Sequence, residues 1–228
     1  MPKHGFFIAL EGTDGSGKTS QFKLLLKSLR VAGKRVVPTD FPQYGQLSAR
    51  LVEQYLNGKF GSAREVGPYR ASLFYALDRF EAASQMRQWL KQGRIIVSNR
   101  YVLSNAAHQG GKIASRTARK LYWRWLFNLE YKILGIPQPD LTILLHVPAG
   151  IAQNLVDKKG PREYLKGVKR DIHEADLRHL KDAERTYLEL AKKNGYTVVE
   201  CVERGRLLAP KEIHHKVWKI INNKHIKK

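Results

Sequence analysis

The sequence predicts an α/β fold of three layers: a five-stranded parallel sheet with helices on both faces and a basic lid. Three observations carry this. Five short runs stand out: FFIALEG (6–12), RVVPTDF (35–41), RIIVSNRY (94–101), DLTILLHV (140–147) and YTVVECV (196–202). Each is mostly continuous in apolar residues rather than alternating, as strands covered on both faces of a parallel sheet read. Helical stretches separate them, and alternating strand and helix implies right-handed crossovers and an open, doubly wound sheet.

The elements follow in order. Helix is predicted from Thr19 to Val31, with Phe22, Leu25, Leu26 and Leu29 on one side and Gly33 as its stop. Further helices are predicted over about 69–92, 115–134 and 175–193, the last ending at Gly195. The final helix spans about 210–222, where Pro210 suits a first turn. In the third of these, Leu121, Trp125, Leu129 and Ile133 repeat every four residues, with Tyr122 and Leu126 beside them. This is a wide apolar face, suited to the core or to a partner chain. With 228 residues and no internal repeat, the chain reads as a single domain, 1–228.

The hydrophobic fraction is 43% and the charged fraction 27%, both ordinary for a globular protein. No apolar run approaches the roughly 18 residues a membrane span needs, so no membrane partner is expected. The single cysteine, Cys201, excludes an internal disulfide framework, and a cytoplasmic location is expected. The net charge of +21 points to anionic partners, phosphorylated small molecules or nucleic acid. It includes a short basic tail at 224–228.

The first strand runs into Gly12-Thr13-Asp14-Gly15-Ser16-Gly17-Lys18-Thr19, followed by Ser20. This matches G-x-x-x-x-G-K-[ST], the loop whose backbone amides cradle phosphates at a helix N-terminus. Gly12 to Ser20 are therefore the predicted nucleoside triphosphate site. Lys18 reaches the β- and γ-phosphates, and the Thr19 hydroxyl ligates Mg²⁺. ATP and Mg²⁺ are the implied donor and metal. At the carboxyl end of the third strand, Arg100 can hold an acceptor phosphate with its forked guanidinium. The D-x-x-G and N-K-x-D signatures of a switch GTPase are not in place.

Several ordered pieces resemble the thymidylate kinase family of nucleoside monophosphate kinases: LEGTDGSGKT, the Phe41-Pro42 pair, SLFYALDRFEA, NRYVLSNAAHQGG and AERTYLELA. The resemblance implies ATP-dependent phosphorylation of a deoxynucleoside monophosphate, dTMP to dTDP, by a homodimer. It implies that Tyr75 stacks on the base, with Phe74 the competing choice, and that Arg79 bonds the base's carbonyl edge. Phe41 and Pro42 line the acceptor site. Asp14 bonds the sugar 3′-hydroxyl, Ser104 and Gln109 contact or support the base, and His108 crowds the sugar 2′ carbon.

Some members of that family carry a basic residue inside the phosphate loop and others on the lid. Gly15 and Ser16 occupy the loop here, so the lid, about 157–172, must supply the cation. Lys159 and Arg162 are the expected contacts with the transferring group. The sequence departs from the family in two places. Asn99 stands where the family usually has an aspartate that helps hold Mg²⁺; Asp14, Asp40 or Glu11 could compensate. Gln43 and Tyr44 follow Phe41-Pro42 where an arginine is often found; Arg70 or Arg50 could substitute. The alternatives are another nucleotide or deoxynucleoside kinase of this fold, with Asp40 as base, and a nucleic-acid-binding protein that has kept a nucleotide site. No recognised nucleic-acid-binding motif supports the last.

Overall fold

The computed structural model describes residues 4–157 and 177–223. The expected lid, including Lys159 and Arg162, and the tail at 224–228 lie outside the described residues, apart from the backbone of Asp157.

The elements run β1 (Phe6–Glu11), α1 (Lys18–Val31), β2 (Val36–Asp40), α2 (Arg50–Leu56), α3 (Ala63–Lys91), β3 (Ile95–Asn99), α4 (Val102–Gly110), α5 (Arg116–Asn128), β4 (Leu141–His146), α6 (Ala149–Asp157), α7 (Leu177–Asn194), β5 (Thr197–Glu200) and α8 (Pro210–Asn223). The five strands form one parallel sheet in the order β2-β3-β1-β4-β5. All five are the strands expected from sequence. The interior strand β3 is buried throughout, whereas β2, at an edge, is half-covered and carries Pro38. Proline cannot donate to a ladder, so an edge is where it is tolerated.

Successive residues of β1 point to opposite faces. Phe7 and Ala9 join a core with α3, α4, α5 and α7; Ile8 and Leu10 join a second core with α1 and α8. Those two cores are the spaces between three layers. Cys201 is fully buried in the second, and burial pushes its thiol up to about 12.

Three differences from the sequence reading bear on the site. The helix expected from about 69 starts at Ala63, where Ser62 and Glu65 form a capping box, and kinks at Gly67 (φ 73°) before Pro68. The helix expected over 115–134 is α-helical only to Asn128 and continues as a π turn, Leu129–Ile133. Its apolar face divides accordingly: Tyr122, Trp123 and Leu126 are core, while Leu121 and Ile133 are exposed. The short helices α2, α4 and α6 lie where no helix was expected.

Candidate active site

The phosphate loop joins β1 to α1 at the carboxyl edge of the sheet, where open α/β sheets bind ligands. Gly17 caps α1 in the left-handed region (φ 82°). Two other glycines are required by close approach. A Cβ on Gly12 would stand 2.6 Å from the Leu145 carbonyl, and one on Gly15 would stand 2.1 Å from the Ala152 carbonyl of α6. The loop is thus clamped between β4 and α6. Lys18 is buried, its ammonium donating to the Gly12 carbonyl at 3.0 Å and the Thr13 carbonyl at 2.8 Å.

A cleft opens beside this loop. Asp14, Gly15, Gly17, Lys18 and Thr19 form one wall; Asp40, Phe41, Pro42 and Tyr44 follow from β2; Tyr75 and Arg79 come from α3. Asn99, Arg100 and Tyr101 come from the end of β3, and Ser104, Asn105, His108 and Gln109 from α4. Most of the residues predicted from sequence therefore converge on one space. Gly12, Thr13, Ser16 and Ser20 do not line it: Thr13 and Ser16 are buried beneath the loop, which they shape, and Ser20 faces outward on α1. Phe74 leaves the set as well. It packs on Tyr55 and Phe60, with ring centroids 5.9 and 5.3 Å away. Tyr75 also meets Tyr55, ring centroids 6.3 Å apart, but of the two adjacent rings it is the one that lines the cleft.

Arg100 sits at the centre. It adopts φ 66°, a left-handed conformation uncommon outside glycine. Its guanidinium is paired with the Asp14 carboxylate of the phosphate loop and donates to Ser104 Oγ at 3.0 Å. Beneath it, the fully buried Glu11 carboxylate accepts from the Tyr101 amide at 2.8 Å, the Ser104 amide at 3.2 Å and Ser104 Oγ at 2.6 Å. Glu11 thereby caps α4 and fixes the turn that carries Arg100. Burial raises its pKa. Engaged in this way and outside the cleft lining, Glu11 is not the compensating metal ligand.

Arg79 is buried against Glu130, its Nε 3.0 Å from one carboxylate oxygen and its terminal nitrogen paired with the other. Glu130 lies in the π turn that follows α5, and that turn aims it at α3. This partner was missed because a regular 3.6-residue helix was assumed through 134. His108 is held neutral: burial first, then the Arg100 charge, depress its pKa well below the usual histidine range. Its Nδ1 lies 3.2 Å from Nε2 of His179, in the first turn of α7. Gln109 Oε1 accepts from Lys112 at 2.7 Å, which sets its amide.

Asn105 was also missed. It lines the cleft one turn from Tyr101 and His108, and its Oδ1 is buried without a hydrogen-bond partner among the described residues. The available signal was spacing: 101, 104, 105 and 108 fall on one side of α4. The arginine sought after Phe41-Pro42 is not replaced by Arg50 or Arg70, neither of which lines the cleft. Arg70 instead donates to the Val66 and Glu65 carbonyls at the α3 kink, at 2.8 and 2.6 Å. Gln43 turns to Asp78, whose Oδ2 accepts from its backbone amide at 3.0 Å. Among the described residues, the cations lining the cleft are Lys18, Arg79 and Arg100.

Mg²⁺ fits this chemistry. Thr19 and Asn99 line the same cleft, and Asn99 Oδ1 is a buried acceptor without a donor among the described residues. Among those residues no group of three or more His, Cys, Asp or Glu could hold a metal alone.

The parallel sheet, the loop at its carboxyl edge and the cationic cleft define a P-loop nucleotide-binding protein. The sequence model of the thymidylate kinase family matches residues 10–206. The chain belongs to the thymidylate kinase family. It is 32% identical over 214 residues to the thymidylate kinase of Mycobacterium tuberculosis, covering 90% of this chain and 98% of that protein. It is 31% identical over 204 residues to a probable thymidylate kinase of Pyrobaculum aerophilum, covering 89% and 92%. The thymidylate kinase structure from Candida albicans superposes with a TM-score of 0.76 at 22% identity, covering 97% of this chain and 92% of that one, a likeness of fold. No helix among the described residues is long and apolar enough to cross a membrane.

Proposed function

We propose that the chain transfers the γ-phosphoryl group of ATP to dTMP, giving dTDP and ADP. The observation that carries this reading is the convergence of Lys18 of the phosphate loop, Arg100 and Tyr75 on one cleft. An acceptor oxygen of dTMP attacks the γ-phosphorus as the bond from that phosphorus to the β,γ-bridging oxygen breaks, and the bridging electrons leave with ADP. A phosphate monoester, with a second pKa near about 6, is already largely ionised at neutral pH. No general base is then needed, and catalysis is positioning plus charge neutralisation.

Each residue has a part in that scheme. Lys18 offsets charge on the donor phosphates, and Arg100 holds the acceptor phosphate. Tyr75 stacks on the base, while Arg79, oriented by Glu130, presents a donor edge to the base carbonyl. Asn105, Ser104 and Gln109 complete the base site, and Asp14 bonds the sugar hydroxyl. His108, kept neutral and braced by His179, occupies the volume a ribose 2′-hydroxyl would need. Thr19 and Asn99 would hold Mg²⁺, which would neutralise the negative charge that develops during transfer. Lys159 and Arg162 of the lid add the remaining positive charge.

We also infer a homodimer built on α3 and α5. Tyr69, Leu73, Leu77 and Phe80 repeat along one side of α3, and Leu121 lies on α5; all five are 40% to 52% exposed. Tyr69 stands against Trp125 of α5, ring centroids 4.7 Å apart, so the two helices share one apolar face. A face of this kind on a soluble domain marks an interface. A cytoplasmic location follows from the same reading.

The test is ADP release with ATP·Mg²⁺ and a panel of dTMP, dUMP, ribothymidine monophosphate and thymidine. Turnover with dTMP well above the others is expected. Turnover of thymidine or another monophosphate, with dTMP inert, would assign a different kinase of this fold.

A further inference from the structure

The ends of β2 and β3 carry a pair that the proposed reaction leaves unexplained. Asp40 and Asn99 are register partners on adjacent parallel strands, and both line the cleft with Thr19. Asn99 Nδ2 donates to Asp40 Oδ1 at 3.0 Å. An ionised carboxylate only accepts, so it fixes which end of the amide faces it. The NH₂ end is turned to Asp40 and the carbonyl end away. That carbonyl oxygen is buried, Asn99 being 8% exposed, and has no partner among the described residues. A buried acceptor without a donor is costly and calls for an explanation.

Charge sharpens the question. Position 99, at the end of β3, brings a neutral amide to the cleft. The carboxylate stands one strand over, at the same level of the sheet. Of the other two acidic residues near the loop, Asp14 is paired with Arg100 and Glu11 caps α4. Glu11 lies outside the cleft lining, and Asp14, within it, already neutralises the Arg100 guanidinium.

We propose that Asp40 is a positioning residue for the metal: it turns the Asn99 carbonyl toward the Mg²⁺ of the bound nucleotide beside Thr19 and restores the negative charge missing from position 99. The pair Asp40–Asn99 then acts as one divided carboxylate, with the ligand oxygen on β3 and the charge on β2. Partners that hold a metal ligand in place typically change affinity about 10–100-fold when altered. This inference rests on the nucleotide-binding reading above.

Mn²⁺ is the probe, and the full chain is the sample. Free Mn²⁺ is counted by its paramagnetic resonance signal during titration of the protein·ADP complex. ADP affinity without metal is measured by calorimetry in EDTA. Asp40→Asn, which keeps the shape and removes the charge, is expected to weaken Mn²⁺ binding about tenfold or more, leaving metal-free ADP affinity within about twofold. The exchanged double variant, Asp40→Asn with Asn99→Asp, is expected to recover parental Mn²⁺ affinity to within about threefold. Unchanged Mn²⁺ affinity in Asp40→Asn overturns the proposal, as does an exchanged variant no better than the single one. A loss of metal-free ADP affinity as large as the loss for Mn²⁺ also overturns it, because Asp40 would then act on the fold. Failure of the parent chain to bind ADP is a separate result that overturns the proposed function. Turnover of dTMP with Mn²⁺ affinity indifferent to Asp40 overturns this inference alone.

Discussion

Arg100 and Asp14 form an ion pair that ties the end of β3 to the phosphate loop. The pair joins the two halves of the proposed site: the loop assigned to the donor and the guanidinium assigned to the acceptor. Arg100 also holds a left-handed backbone, a conformation that costs roughly 1–2 kcal/mol outside glycine. Strain held at such a position suggests function rather than stability. Arg100→Gly removes that strain along with the ion pair. Its melting temperature is expected to stay within a few degrees of the parent, while kcat/KM for dTMP falls about 100-fold or more. A large loss of stability with little loss of turnover would make the pair structural.

Tyr75 faces the cleft and Phe74 faces Tyr55 and Phe60. Base stacking on an aromatic ring contributes roughly 1–3 kcal/mol. Tyr75→Ala should therefore raise KM for dTMP by about 5–150-fold, and Tyr75→Phe should leave it near the parental value. Phe74→Ala should lower the melting temperature with a smaller effect on KM. Steady-state kinetics and thermal unfolding on the three variants check this, and the reverse ranking would exchange the two roles.

His146, at the end of β4, meets a carboxylate at each ring nitrogen: Glu184 at 2.9 Å and Glu200 at 2.6 Å. Burial alone would lower its pKa, but the bonds to Glu184 and Glu200 outweigh it and the net shift is upward. Glu184 also accepts from the Ala149 amide at 2.9 Å, so the cluster fastens α6, which packs on Gly15. A raised folded-state pKa gives stability that is full below the unfolded value, near about 6.5, and is lost as pH rises through the folded value. The melting-temperature advantage of the parent over His146→Gln should accordingly shrink on going from about pH 6 to about pH 9. An advantage that grows with pH would contradict the assignment of a charged imidazole.

The apolar face of α3 and α5 gives a prediction about assembly. Light scattering should report about twice the mass of one chain, and Leu77→Glu with Phe80→Glu should give folded monomer. A parent chain that is monomeric at micromolar concentration would remove the interface.

The sheet was legible because parallel strands buried on both faces read as unbroken apolar runs, and the phosphate loop because its glycines are dictated by close approach at Gly12 and Gly15. Helix α4 was not, since it has only nine residues and its polar side, carrying Ser104, Asn105, His108 and Gln109, is buried in the cleft rather than turned to solvent. Asn105 was overlooked with it. Glu130 could not be placed because the π turn breaks the 3.6-residue period between Asn128 and Leu134. Asp40 and Asn99 are 59 residues apart, and their pairing depends on β2 lying beside β3 in a particular register. Local pattern carries no such information.

The most direct test of the central claim follows the transferred group itself. Enzyme in excess over ATP labelled at the γ-phosphate, with Mg²⁺ and unlabelled dTMP, is quenched after a single turnover, and the nucleotides are separated by anion exchange. The label should appear in dTDP, with little in inorganic phosphate. Label confined to inorganic phosphate, or found in a product of thymidine but not of dTMP, would contradict the assignment.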